Sequence, residues 1–329
     1  MNFAEVEKIA AAILYEGYIL YPYRATAIKN RQRWNFGTLY PRVYAEAQRP
    51  EEPFRFIVEC LVEAASEDAT IDLKIQFLQL IHRQNDSPAP PDSMHALTDP
   101  SLAWEEAVER TAELQLRLKN LTDHPATQTL ELQASQLPED RPRSALRSLE
   151  AVLTIGAESL SNGLHKLRLE LQNASPLPSG AAAKREEALP QAFVSAHALM
   201  GLTGAQFISL LDPPQMYAAS VAACKNIGVF PVLAGEEPDR SMMFCSPIIL
   251  YDYPKIAPES EGDFFDGTEM DEMLTLRVLT LTDAEKEEMR NGDPRARQIL
   301  ERSESQTAEA MMKAHGVIRG MRDIRGDAS

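Results

Sequence analysis

The sequence predicts an α+β fold, a β-rich, antiparallel, sandwich-like core preceded by a short N-terminal helix and followed by a helical C-terminal tail. Three observations point there. Apolar residues recur at helical spacing over residues 2–14. From Phe54 onward the period switches to 2 in several successive segments. Capping signals and helical spacing return near the end, around Thr282 and Asp293.

In the first element Asn2 caps a helix whose Phe3, Val6, Ile9, Ala10 and Ile13 share a face, and Gly17 ends or bends it. Phe54, Phe56, Val58, Cys60 and Val62 then alternate with Arg55, Glu59 and Glu63, and Ile71, Leu73, Ile75 and Phe77 alternate with Asp72, Lys74 and Gln76. Residues 54–80 are expected to form an antiparallel hairpin facing one core. Residues 84–100, with Pro88, Pro90, Pro91 and Pro100, read as a surface loop. The stretch 104–118 is open between helix and strand, with strand favoured where Leu114, Leu116 and Leu118 alternate. Residues 146–155 and 163–171 supply two further strands.

Residues 174–189, rich in Pro, Ser, Ala and charge, read as a linker between a β-rich domain (1–175) and an α+β region (190–329). An apolar stretch follows over 193–211, and Pro213 and Pro214 start a short helix reaching Cys224. Residues 228–233 and 242–251 flank a polar turn of hairpin type, with Pro231 and Pro247 implying edge positions or bends. Thr282 with Glu285 makes a capping-box pattern, and Asp293 before Pro294 caps a helix carrying Ala296, Ile299 and Leu300. Over 305–324, Ala308, Met311, Met312, His315, Ile318, Met321 and Ile324 approximate an apolar stripe, expected to dock on the protein's own body or a partner.

With 329 residues the chain can bury a large core without disulfides. Its three cysteines, Cys60, Cys224 and Cys245, are widely spaced and carry no metal-ligand interval, and Cys60 reads as a reduced core thiol. The N-terminus lacks a signal-peptide pattern and no run reaches about 18 apolar residues, so a cytoplasmic protein with no membrane span is expected. The formal charge of −16 opposes generic nucleic-acid binding.

Phosphate-binding, metalloprotease, hydrolase and EF-hand motifs are all missing from the sequence. The six histidines stand singly; His197 is the one set among small apolar neighbours, where a buried imidazole needs a partner. No cofactor and no metal site is expected, and no catalytic residue is assigned.

Two segments are unusual. Tyr15 to Tyr44 packs eight aromatics with Arg24, Lys29, Arg31, Arg33 and Arg42 against Glu16 as its one acid. Such a mixture suits a protein interface, stacking on single-stranded nucleic acid, or coverage of the β layer, and the three readings stay open. Asp252 to Glu272 carries eight carboxylates against Lys255. It suits a solvated loop, docking of a basic surface, or divalent-metal or acid/base chemistry. The candidate partner-binding residues are Tyr21, Tyr23, Arg24, Arg31, Arg33 and Trp34 in the first segment and Asp263, Asp266, Glu269, Asp271 and Glu272 in the second.

YILYPYRATAIKNRQRWNFGTLYP near the start, SLLDPP at 209–214 and SPIILYDYPKIAPESEGDFFDGTEMDEMLTLRVLTLTDAEKEEMR at 246–290 resemble a family of uncharacterised proteins encoded beside nickel–iron hydrogenase genes. The resemblance implies a part in making or organising a hydrogenase, and it transfers no catalytic residue. The chain lacks the His-rich tracts of nickel chaperones, the spaced cysteines of iron–sulfur carriers and the phosphate loop of GTP-driven insertion. What remains is a protein-binding accessory or assembly factor, with a hydrogenase subunit as partner and self-association open. The alternative is a carboxylate- or metal-dependent enzyme using the acidic segment with His197.

Overall fold

The computed structural model describes residues 3–14, 37–64, 68–83, 107–136, 144–161, 163–255, 280–283, 286–287, 290 and 294–305. Its strands in chain order are β1 (Arg55–Ala64), β2 (Thr70–Leu80), β3 (His82–Arg83), β4 (Ala107–Arg117), β5 (Ala126–Leu132), β6 (Ser135–Gln136), β7 (Ser144–Leu146), β8 (Leu149–Ser161), β9 (Leu164–Asn173), β10 (Val194–Thr203), β11 (Ala205–Phe207), β12 (Phe230–Ala234) and β13 (Met242–Ser246). The helices are α1 (Ala4–Leu14), α2 (Arg42–Ala45), α3 (Leu118–Asp123), α4 (Arg185–Ala188), α5 (Ala218–Ala222) and α6 (Pro294–Ser305).

Two antiparallel five-stranded sheets face each other, ordered β11-β1-β9-β8-β5 and β12-β13-β10-β2-β4, and a small third sheet, β3-β7-β6, joins chain leaving β2 and β5. Side chains of both large sheets make one buried cluster: Phe56, Val58, Leu153, Leu167 and Leu169 from the first sheet meet Ile71, Leu73, Ile75, Phe77, Ala198 and Met243 from the second. The fold is therefore an α+β, β-rich sandwich.

The alternation over 54–80 does identify the core-facing residues, since Phe56, Val58, Ile71, Leu73, Ile75 and Phe77 are all buried together. The expected hairpin is corrected. β1 lies between β11 and β9, and β2 lies between β10 and β4, so the two strands pair in opposite sheets. Period-2 patterning states which face a side chain takes and leaves the hydrogen-bonded neighbour undetermined; an arch across a sandwich carries the same pattern as a hairpin within one sheet. Phe54 precedes β1 and packs on a different cluster with Leu78 and Leu80, with the guanidinium carbons of Arg42 and Arg55 5.3 and 5.4 Å from its ring centroid.

β4 bears out the strand reading for Leu114 and Leu116, whereas Leu118 already opens α3. β8 and β9 pair with each other, and β12 pairs antiparallel with β13 across the polar turn. β13 stops at Ser246, short of the expected Tyr251, because Pro247 has no N–H to continue a ladder. The helix after Pro214 begins as a 3-10 turn, Gln215–Tyr217, and continues into α5.

Residues 174–189, expected to separate two domains, connect strands of one sandwich. β10, which follows them, fills the place between β13 and β2, and β11 pairs with β1. The segment is packed and hydrogen-bonded. Asn173 Nδ2 donates to the carbonyls of Leu39 and Gln191, each at 2.8 Å, and its Oδ1 accepts the Ser175 N–H at 2.9 Å. Leu177, Ala183, Ala188 and Leu189 are buried. The irregular backbone is tolerated because its polar groups find partners.

α1 lies on the outer face of the second sheet: Val6, Ile9, Ala10 and Ile13 pack on Leu199, Val232, Phe244 and Leu250. Lys74 of β2 pairs with Glu7 of this helix and, at 2.7 Å, with Glu113 of β4. Gly37 reaches φ +52, and a Cβ there would stand 2.6 Å from Pro247 Cγ, so a glycine is required where this connection crosses the end of β13. The helix predicted after Asp293 is α6, which buries Leu300. The proline-rich loop at 84–100 and the Met-rich stripe beyond Ser305 lie outside the described residues.

Candidate functional site

Three short segments meet at one rim of the sandwich, and a single carboxylate ties them together. Asp252 Oδ2 accepts the Ser209 hydroxyl at 2.5 Å, just beyond β11 of the first sheet, while Oδ1 accepts the Leu233 N–H at 2.8 Å, on β12 of the second. Ser209 Oγ in turn accepts the N–H groups of Leu211 and Asp212 at 3.1 and 2.8 Å. The Tyr253 N–H donates to the Leu233 carbonyl at 2.8 Å. Both Leu233 backbone groups therefore point away from β13, and so does Pro231, two residues earlier on the same strand. Proline supplies no N–H, so this edge is closed to an added strand, in keeping with the edge position expected for Pro231.

Closing the backbone leaves apolar side chains outward. Tyr251 is 87% exposed, Ile249 77%, Met216 77% and Leu211 54%, and Ile227 and Phe230 are exposed as well. Leu250 between the first two is buried against α1. The segment 248–251 thus turns one side inward and presents Ile249 and Tyr251 to solvent. Isolated exposed apolar residues are ordinary, but Ile249 and Tyr251 stand exposed on one short segment that Asp252 holds to Leu233 and to the Ser209 turn. Tyrosine and methionine provide large area at small entropic cost or with adaptable shape.

The neighbouring chain, 208–227, lies over the outer face of the first sheet. Ile208, Tyr217, Val221 and Cys224 pack with Leu61 and Leu164, and the Tyr217 hydroxyl donates to Glu63 at 2.6 Å. Glu59, buried in the same face, accepts Arg168 at 2.8 Å and the Lys225 N–H at 2.8 Å. Burial alone would raise the Glu59 carboxyl; those two donors outweigh it and hold it below the usual range. One oxygen of this carboxylate holds the loop through the Lys225 N–H and the other holds Arg168 of β9, so its role is positioning.

His197, on β10, is fully buried. Its Nδ1 stands 2.8 Å from the Ser195 carbonyl, its Nε2 3.4 Å from Gln76 Oε1, and its ring meets Phe244 edge-on at 5.4 Å between centroids. Burial pushes its pKa down to about 4, so it is neutral at physiological pH. With no solvent access and its nitrogens occupied, it serves the core. Burial likewise raises the thiols of Cys60 and Cys245, and that of Cys224 to about 11; all three are free and unactivated.

A cavity of about 430 Å³ opens beside α3, with Arg117, Asn120 and His124 above Leu116 and Leu121. Its lining offers hydrogen-bond donors and contains no carboxylate or thiol. Among the described residues no group of three or more His, Cys, Asp or Glu is placed to hold a metal. No described helix is long and apolar enough to cross a membrane.

The residues singled out from the sequence, Tyr21, Tyr23, Arg24, Arg31, Arg33, Trp34, Asp263, Asp266, Glu269, Asp271 and Glu272, lie outside the described residues. From the flank of the aromatic segment, Tyr40 and Tyr44 are buried with their ring centroids 5.2 Å apart and tilted by 45°, and Arg185 donates to the Tyr40 hydroxyl at 3.1 Å, so this part of the segment is core. Sequence reasoning did not single out Ile249 and Tyr251; the signal that bears on them is the apolar run 248–251 after Pro247, too short to be buried on both faces. No protein-family model matches the chain, and no curated protein matches it.

Proposed function

We propose that the chain is a non-catalytic accessory or assembly factor that binds a protein partner in the cytoplasm. The resemblance of its sequence to proteins encoded beside nickel–iron hydrogenase genes makes a hydrogenase subunit the partner of choice. The exposed apolar rim around Ile249 and Tyr251 carries the reading. Its backbone is held by Asp252, Ser209 and Leu233, so binding there requires little ordering of the chain. The edge strand beneath it is blocked, so side chains rather than strand addition supply the contact.

The test is affinity capture from cells producing the hydrogenase, with the captured subunit identified by mass spectrometry. The chain carrying Ile249→Ser and Tyr251→Ser is expected to keep its circular dichroism and melting temperature, since both side chains are exposed. Its affinity for the subunit should fall by about 30-fold or more, the loss of about 2 kcal/mol that a central aromatic anchor contributes. Equal capture by both proteins, or no hydrogenase subunit captured by the unsubstituted chain, would refute the assignment.

A further inference from the structure

The four outer strands of the two large sheets are guarded unequally. β11 spans just three residues. β12 carries Pro231 and is strapped at Leu233. β4 bears Glu109, Glu113 and Arg117 on one face, and Arg110, opposite the buried Phe77, points a charge inward at the edge, where it bonds to Gln79 at 3.0 Å. Shortness, proline and inward charge are the devices that keep sheet edges from pairing with other chains. β5, ATQTLEL, has none of them: seven residues, no proline, and Glu131 as its one charge. Among the described residues it pairs on one side alone, with β8.

We propose that β5 docks antiparallel against β5 of a second copy of the chain, joining the two first sheets across a two-fold axis through Thr129. The strand is self-complementary in that register. Ala126 falls opposite Leu132, Gln128 opposite Leu130, and Thr127 opposite Glu131. Ala126, Leu130 and Leu132 face the core and are half-buried against it, so a second copy would complete their cover. Thr127, Thr129 and Glu131 are exposed on the outer face. The two Glu131 carboxylates end four strand positions apart, about 14 Å, beyond the screening length of about 10 Å at 0.1 M salt. No like charges meet in the pairing. The opposing force is the overall charge of −16 on each copy, which salt screens, so association should strengthen as salt rises.

Sedimentation equilibrium of the full chain across salt concentrations tests the pairing. The unsubstituted chain should associate into dimers more tightly at 0.5 M than at 0.05 M sodium chloride. Thr129→Lys and Thr129→Glu each place like charges face to face at the axis and should weaken the dimer about 10-fold or more while leaving the circular dichroism unchanged. Mixing the two variants should restore it as a heterodimer, and neither should lose the hydrogenase subunit captured at the β12 rim. A chain that stays monomeric at about 0.2 mM in 0.5 M salt, a dimer indifferent to both substitutions, or a mixture that fails to recover would each overturn the proposal.

Discussion

Replacing Phe77 by alanine is expected to lower the free energy of unfolding by about 3–5 kcal/mol. The ring is 1% exposed and stands 4.4 Å, centroid to centroid, from Phe193. Both belong to the cluster that the two sheets bury between them. The cost combines the lost transfer energy of the ring with the cavity left behind, and the facing β-strands can collapse into that cavity only by bending their ladders. Because β10, the partner of β2 in the same sheet, comes from beyond residues 174–189, the loss should appear in one cooperative transition of the whole sandwich. Urea denaturation followed by circular dichroism measures it. A cost below about 1 kcal/mol would place Phe77 away from the space between the sheets.

The second large effect is a pH dependence centred on His197. In the unfolded chain this imidazole takes up its proton near pH 6.5, whereas in the folded protein it does so only near 4. The unfolded state therefore binds more protons between those values, and stability falls as the pH is lowered through that window. At pH 4 the loss amounts to about 3 kcal/mol relative to pH 8. Protonation would put a charge beside Phe244 and the apolar face of α1, with the Ser195 carbonyl and Gln76 as its polar neighbours. His197→Leu removes the titrating group but leaves that carbonyl without its donor, so the variant is less stable at pH 8. Its deficit against the unsubstituted chain should shrink by about 3 kcal/mol between pH 8 and pH 4, while the carboxylates common to both proteins cancel. A deficit that stays constant in urea titrations at the two pH values would show that His197 is not buried neutral.

The sequence expresses which side chains are buried far more clearly than which strands pair. The period-2 positions of β1 from Phe56 to Val62 and of β2 from Ile71 to Phe77 are all apolar and all lie in the core, although Ile57 and Leu61 between them are apolar and buried as well. Pairing was hidden because a strand's partner depends on where the chain crosses between sheets, and alternation is identical in both arrangements. β10 shows the complementary limit. Ala196, Ala198 and Met200 face the other sheet and His197 and Leu199 face α1 and its neighbours, so both sides are apolar and no period survives.

Residues 174–189 have the composition of a linker, yet Asn173 and Gln191 make the same polar and proline-rich chemistry serve a packed crossover. Composition cannot separate the two, since both need backbone that forms no ladder. The exposed apolar rim was obscured for a related reason. Ile248 to Tyr251 reads as the continuation of β13 until Pro247 is weighed as a stop, and only the geometry at Asp252 shows which of its apolar residues turn outward.

Hydrogen–deuterium exchange of the chain, alone and with the proposed partner, a hydrogenase subunit, added, tests the assignment of the rim most directly. Binding at that surface should slow exchange over residues 209–216, 227–233 and 248–253, which include the exposed Leu211, Met216, Ile227, Phe230, Ile249 and Tyr251, and leave β5 unchanged. Protection confined to other segments, with 248–253 exchanging as fast in the complex as in the free chain, would contradict it.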